Sequence, residues 1–165
     1  MVLAAALPPS AGWEIEILAT DLSLRVLEQA RDGLYHVEKA REIPEPHRRA
    51  WMLRGSGHSE GLMKVGPELR NLVRFQRLNL VAESWPGLER FDLVFCRNVL
   101  IYFAAETKAR VVRHLLSHLA DDGVLFLGHA ESLSGLELGA VAHSPTVYVK
   151  QGGPLAPRRA GESRR

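Results

Sequence analysis

The sequence predicts an α/β protein of the doubly wound type, carrying a small antiparallel β-subdomain as an insertion. Three observations predict it. Trp13 to Thr20 has strand composition, ends at Asp21, and is followed by a helical pattern that stops at Gly33, which is the strand, acid, helix order of such folds. A second apolar run, Phe91-Asp92-Leu93-Val94-Phe95, breaks off in Cys96-Arg97-Asn98, as a buried parallel strand does where it reaches the ligand-bearing edge of its sheet. Between these two lies a polar, proline-bearing stretch with two short apolar runs around a glycine-rich loop, a hairpin pattern interrupting the β-α-β order.

Each element follows in turn. Ile15 and Ile17 alternate with Glu14 and Glu16 in the first strand. Ser23 is a good N-cap for the next helix, with Leu22 and Leu27 at the positions of a hydrophobic staple and Gly33 placed to end it. Residues 36–50 hold Pro44 and Pro46 and admit one short helix around Pro46 to Trp51. Met52-Leu53-Arg54 and Leu62-Met63-Lys64-Val65 read as short strands flanking Gly55 to Gly61, so the inserted subdomain spans about residues 36–72. Asn71 to Leu80 alternates through Val73, Phe75 and Leu78 and returns the chain to the sheet.

The strand at Phe91 comes next, and then Ala105 to Ala120, with Val111, Val112, Leu115, Leu116 and Leu119 on one face of an amphipathic helix. Asp121-Asp122-Gly123 is expected to stop that helix. Val124 to Leu127 reads as a buried strand leading into Gly128-His129-Ala130-Glu131-Ser132, and Val141 to Lys150 as one last strand.

Bulk properties narrow the function. The chain has 165 residues, is 46% hydrophobic and can bury the core of one ordinary domain. A net charge of +2 with 24% charged residues calls for no nucleic-acid partner. No run is long enough for a membrane span, so no membrane insertion is expected. A single cysteine excludes an internal disulfide and suits the cytoplasm. Met1-Val2-Leu3-Ala4-Ala5-Ala6-Leu7 lacks a basic n-region and reads as the end of a helix rather than as a signal peptide. From about Gln151 to Arg165, Gly, Pro and Arg dominate, and a disordered tail is expected.

Three strand ends offer polar groups: Asp21, the pair Asn79 and Leu80, and the pair Arg97 and Asn98. In a parallel sheet such ends share one edge. A strand-end carboxylate can accept from a ribose diol, and an Asn can serve a donor and an acceptor on an adenine edge. Strands also end in Asp simply because it starts turns, so Asp21 by itself is weak evidence. Tyr102 stands about one turn beyond Arg97 and Asn98. Among lesser candidates, Cys96 beside Arg97 would be reactive if its pKa were lowered, but a strand-end cysteine is more often a small core residue. His114 and His118 stand at i and i+4 without a third metal ligand, and a surface role is expected. Gly55, Gly57 and Gly61 suit a tight hairpin loop better than a phosphate cradle, because no helix start follows.

The order of these pieces resembles the CheR-type chemotaxis receptor methyltransferases. The resemblance rests on Ala19-Thr20-Asp21-Leu22 with Val26 to Arg31, on Leu53-Arg54-Gly55-Ser56-Gly57, on Phe75 to Leu80, on Cys96-Arg97-Asn98-Val99-Leu100-Ile101-Tyr102-Phe103, on Gly123 to Ser132, and on Thr146-Val147-Tyr148. It covers about residues 1–150, as a partial methyltransferase domain, with 151–165 as the tail. It implies a Rossmann-like sheet binding S-adenosylmethionine and methylating glutamate side chains of chemoreceptors. By it, Asp21 would bind the ribose, Asn79 and Leu80 the adenine, and Asn98 would join the cofactor site. Arg97 and Tyr102 would line the methyl-transfer site, Arg97 also meeting the cofactor, and no metal is implied. A plainer reading has Arg97 in a structural pair and Tyr102 merely packing.

The family also implies what is lacking. Its N-terminal helical domain is not seen here, nor is a strand and Gly-containing turn that precede a Glu-Glu-Pro-Tyr-Ser-like helix start. The missing strand would lie between the one ending at Asp21 and the one ending at Arg97. The expectation is a truncated form, inactive by itself or completed by a second chain supplying that half. A misplaced start site or a gene fragment would equally account for it. The alternative is a non-catalytic module whose β-subdomain binds receptor C-terminal peptides by strand addition. A third option is a related methyltransferase acting on another carboxylate or a small molecule.

Overall fold

The computed structural model describes residues 1–133 and 135–157. The chain divides into two units, Met1–Asn79 and the part from Leu80 onward.

The first unit opens with the short helix α1 (Val2–Ala6) and reaches β1 (Ile17–Asp21) and α2 (Leu24–Asp32). The strand begins four residues later than the composition of Trp13 to Glu16 predicts. Its ladder starts where its partner does, at Ile17 opposite Val73, and Trp13 is left exposed. The helix signals hold in atomic detail. Ser23 Oγ accepts the Val26 N–H at 3.4 Å, and Gly33 sits in the left-handed region at φ 61° with its N–H on Gln29 O. Leu27 is buried beneath the helix.

The insertion follows as β2 (Leu34–His36), α3 (Val37–Ala40), α4 (Glu45–Trp51), β3 (Met52–Arg54), β4 (Leu62–Val65) and α5 (Pro67–Arg70). The hairpin of β3 and β4 lies where it was predicted. The strand β2 was not foreseen: its residues are all exposed, and it exists by antiparallel pairing to the far edge of β4, giving the order β2-β4-β3. Ala40, Met52 and Met63 form its core, covered by Met1, Val37, Ile43 and Val65. Then β5 (Val73–Arg77) pairs in parallel with β1, Asp21 standing opposite Arg77. Each polar strand end of this pair therefore lies on one edge.

The second unit is a four-stranded sheet built from β6 (Phe91–Cys96), α6 (Ala105–Ser117), β7 (Leu119–Leu127), β8 (Ala140–Ser144) and β9 (Val147–Lys150), in the order β6-β7-β9-β8. The strands β6 and β7 are parallel, joined through α6, which turns Val111, Val112, Leu115 and Leu116 inward. With Leu119, Leu125, Leu127 and Val149 they form the core.

Two expectations are corrected here. The helix ends at Ser117, not at the Asp121-Asp122-Gly123 stop, because Leu119 already pairs with Phe91. The ladder then jumps from Leu119 to Val124, so the Asp-Asp-Gly stretch is a bulge in a strand; Lys150 Nζ holds its Asp121 carboxylate at 2.9 Å. And Val141 to Lys150 is a hairpin, not one strand. Pro145 cannot donate to a ladder, and Thr146 takes the left-handed conformation at φ 64°, turning the chain back on itself. Beyond it residues 151–157 fold in turns, with Leu155 O on His143 Nδ1 at 3.2 Å. The remainder of the expected disordered tail, residues 158–165, lies outside the described residues.

Among the described residues β1 and β5 pair only with each other, and β6 only with β7. On β6 this leaves Leu93 and Phe95 exposed, the latter 62% so, although its ring stacks on Phe126 at 4.6 Å. No helix of the described residues is long and apolar enough to cross a membrane.

Candidate functional site

Strand direction positions the candidate residues. In the first unit, β1 and β5 run in parallel and end together. Asp21 is half-buried at that edge, and one carboxylate oxygen, Oδ1, accepts the Ser23 N–H at 2.7 Å. This fixes the carboxylate at the mouth of the turn and leaves Oδ2 with no partner among the described residues. Opposite it, Arg77 Nε donates to Leu22 O at 3.2 Å, and the Leu78 N–H donates to Asp21 O at 3.0 Å, tying the two strand ends together. Asn79 follows two residues past the end of β5 and is exposed; Leu80, the first residue of the second unit, is half-buried. A carboxylate with a spare oxygen beside a strand-end carboxamide fits the diol and base of a nucleoside. The donor chemistry thus suits the adenosyl part of a cofactor.

In the second unit the shared edge belongs to β6 and β7, whose last residues Cys96 and Leu127 are in register. Immediately after Cys96 come Arg97 and Asn98, both exposed; Asn98 has φ 59°, a conformation that Asn tolerates better than most residues. A single 3-10 turn, Leu100–Tyr102, then presents Tyr102 to solvent at 79% exposure. The structure therefore brings Arg97, Asn98 and Tyr102 to one edge. Among the described residues Arg97 has no ion-pair partner, and Tyr102 is exposed rather than packed.

What sequence reasoning missed is the group that holds this edge in shape. Glu131, 3% exposed, is the one buried charged residue among those described. Its Oε1 accepts the N–H groups of Val99 (2.8 Å) and Leu100 (2.7 Å), and its Oε2 those of Asn98 (2.9 Å) and Gly128 (2.6 Å). Burial opposes its ionisation, yet the four amide donors together hold its carboxyl below the usual glutamate range, so it is a carboxylate at neutral pH. The available signal was an acidic residue just past a buried strand in an otherwise apolar stretch, since unpaired buried carboxylates are rare.

The lesser candidates resolve. Cys96 is buried, and desolvation, reinforced by the Glu131 charge, pushes its thiol up to about 11, the opposite of activation. His114 and His118 are half-buried rather than on the surface. Their rings lie against buried Trp85, edge-on at 5.1 Å and stacked at 5.9 Å. The loop at Gly55 and Gly57, with Arg54, Ser56 and Glu60, lines a shallow depression in the β-subdomain.

Comparison with known proteins gives a consistent answer. The family model described as CheR methyltransferase, SAM binding domain, matches residues 1–147. The chain is 39% identical over 150 residues to the chemotaxis protein methyltransferase of Escherichia coli K12, covering 90% of this chain and 52% of that one. It is 37% identical over 118 residues to chemotaxis protein methyltransferase 2 of Pseudomonas aeruginosa, covering 72% and 42%. The chain thus spans about half the length of the curated relatives it matches. Among solved structures, a glycopeptide N-methyltransferase complexed with S-adenosylmethionine is similar at 18% identity, over 86% of this chain and 45% of that one; its TM-score of 0.43 is too low to inform the topology.

Proposed function

Because this chain belongs to the CheR methyltransferase family through its S-adenosylmethionine-binding domain, we propose that it serves methyl transfer to glutamate side chains of chemotaxis receptors in the cytoplasm. One observation carries the reading. Beyond β6, Arg97, Asn98 and Tyr102 stand together on a solvent-facing edge whose backbone is held by a buried carboxylate.

Asp21 would hold the ribose through its spare oxygen and Asn79 and Leu80 would meet the adenine; the family resemblance assigns Asn98 and Arg97 to the cofactor as well. When bound, S-adenosylmethionine supplies an electrophilic sulfonium methyl. A glutamate carboxylate is ionised at neutral pH and needs no general base. The demands on the protein are orientation and control of charge, and orientation alone is a large term. Arg97 would align the incoming carboxylate by a charge-assisted contact, with the Tyr102 hydroxyl as a neighbouring donor.

Calorimetry with S-adenosylhomocysteine tests the cofactor half of this proposal. Micromolar binding is expected for this chain, weakened roughly tenfold or more in Asp21→Ala by the loss of charged hydrogen bonds. Equal affinity of the two would overturn the assignment. Labelled methyl transfer to receptor-bearing membranes, measured with and without the separately produced N-terminal half of a longer relative, tests the rest. Absence of transfer in both arms would refute the enzyme reading.

A second reading is favoured by the β-subdomain. Both outer strands of its sheet, β2 and β3, are edges, and Leu34, Tyr35 and Leu53 are exposed along them. Unpaired backbone flanked by apolar side chains suits strand addition by a receptor C-terminal peptide. Peptide capture without cofactor binding would favour a non-catalytic interaction module.

A further inference from the structure

We infer that Glu131 is a positioning residue for methyl transfer: it clamps the backbone of the loop that carries Arg97 and Tyr102. The part concerning transfer rests on the function proposed above, whereas the clamp stands on geometry alone.

The carboxylate is saturated, two N–H donors to each oxygen, all between 2.6 and 2.9 Å. Three donors are consecutive, Asn98, Val99 and Leu100, and they converge because Asn98 adopts φ 59°. Alternation into the left-handed region turns successive N–H groups toward one point and makes a concave anion site. Here the anion is built in. It comes from the turn after β7 and closes on the turn after β6, with Gly128 donating from its own side.

The clamp lies next to the residues assigned to the chemistry. Arg97 immediately precedes the first held amide. Tyr102 follows the last by two residues, its N–H on Val99 O at 3.2 Å. Both side chains are exposed, so little packing orients them and their placement is inherited from the backbone. A glutamine at 131 would keep the volume but offer one acceptor oxygen and turn an NH2 group toward two N–H donors. The loop's backbone would loosen around the buried Leu100 side chain, while the strands beneath it, packed through Cys96 and the buried side chains of α6, β7 and β9, stay folded.

Nuclear magnetic resonance on the 165-residue chain tests this. In the unaltered chain, scalar couplings across hydrogen bonds should connect the Glu131 side-chain carbon with the amide nitrogens of Asn98, Val99, Leu100 and Gly128; this needs no variant to fold. In Glu131→Gln, amide exchange at Asn98, Val99 and Leu100 should accelerate by at least about tenfold, in keeping with the strength of hydrogen bonds to charged groups, while protection persists within β7 and β9. Methyl transfer, in whichever assembly is active, should fall in kcat and the KM for cofactor should rise, because the loosened loop carries both Tyr102 and the cofactor-side residues Arg97 and Asn98. Missing couplings, unchanged exchange in the loop, or uniform loss of protection across the sheet would each overturn the positioning role. If the couplings are present but no assembly transfers a methyl group, the proposed function fails and the clamp stands.

Discussion

Replacing Gly128 by alanine should destabilise the second unit by roughly 2–4 kcal/mol. Gly128 does not need its glycine for a left-handed backbone; the demand is spatial. A Cβ there would lie 2.6 Å from Asn98 Oδ1, 2.7 Å from Glu131 Oε2 and 3.0 Å from Asn98 N. The Asn98 side chain is exposed and can swing away. The carboxylate cannot, because Oε2 is already held by two amides and its partner oxygen by two more, and the third contact is backbone. Overpacking of this kind costs about 1–3 kcal/mol. Displacing the carboxylate from even one amide adds about 1.5–3 kcal/mol. The lower entropy of an unfolded chain with alanine offsets only about 0.4–1 kcal/mol. Urea unfolding followed by the fluorescence of buried Trp85, in a background where Trp13 and Trp51 are phenylalanine, isolates the second unit. With a slope of about 2 kcal/mol/M, the midpoint should fall by about 1–2 M at unchanged slope. A midpoint within about 0.3 M of the parent, a small fraction of that drop, would refute the argument that the carboxylate has no room to move.

Further outcomes concern pH. The Cys96 thiol, raised from 9.0 to about 11 by burial, should resist alkylation at pH 8 in the folded chain and react readily after unfolding. The unfolded thiol ionises near 9 while the folded one stays neutral, so stability is full below pH 9 and falls by about 1.4 kcal/mol per pH unit as pH rises toward 11. Alkylation rates at pH 8 that match those of the unfolded chain would refute this burial argument. For Glu131 the sign reverses. Its folded carboxyl is held below the ordinary value near 4.5 by four amides, so its contribution is present above that value and is lost as pH falls through the lowered folded one. Acid titration should shift the amide signals of Asn98, Val99, Leu100 and Gly128 together, and independent movement of the four would refute a common acceptor.

Much of this was legible locally. Ser23 and Gly33 bounded α2 because caps are short-range chemistry, readable in three or four residues. The edge bearing Arg97 and Tyr102 was legible because a buried strand that stops abruptly in polar residues announces its own end. The exposed strand β2, the bulge at Asp121 and the hairpin at Thr146 were not. Each depends on a partner strand: β4 for β2, β6 for the early start of β7, and β7 with β8 for β9.

Taken alone, the sequence determined the alternation of strands and helices, the β-subdomain and the strand ends at Asp21 and Arg97, since all of these are written in periodicity and turn chemistry. Tertiary structure alone decided the role of Glu131. In sequence it is a loop acid, 31 to 33 residues from the amides of Leu100, Val99 and Asn98 that it binds. The parallel pairing of β6 with β7 carries it to them, and a buried carboxylate persists only where such donors already converge.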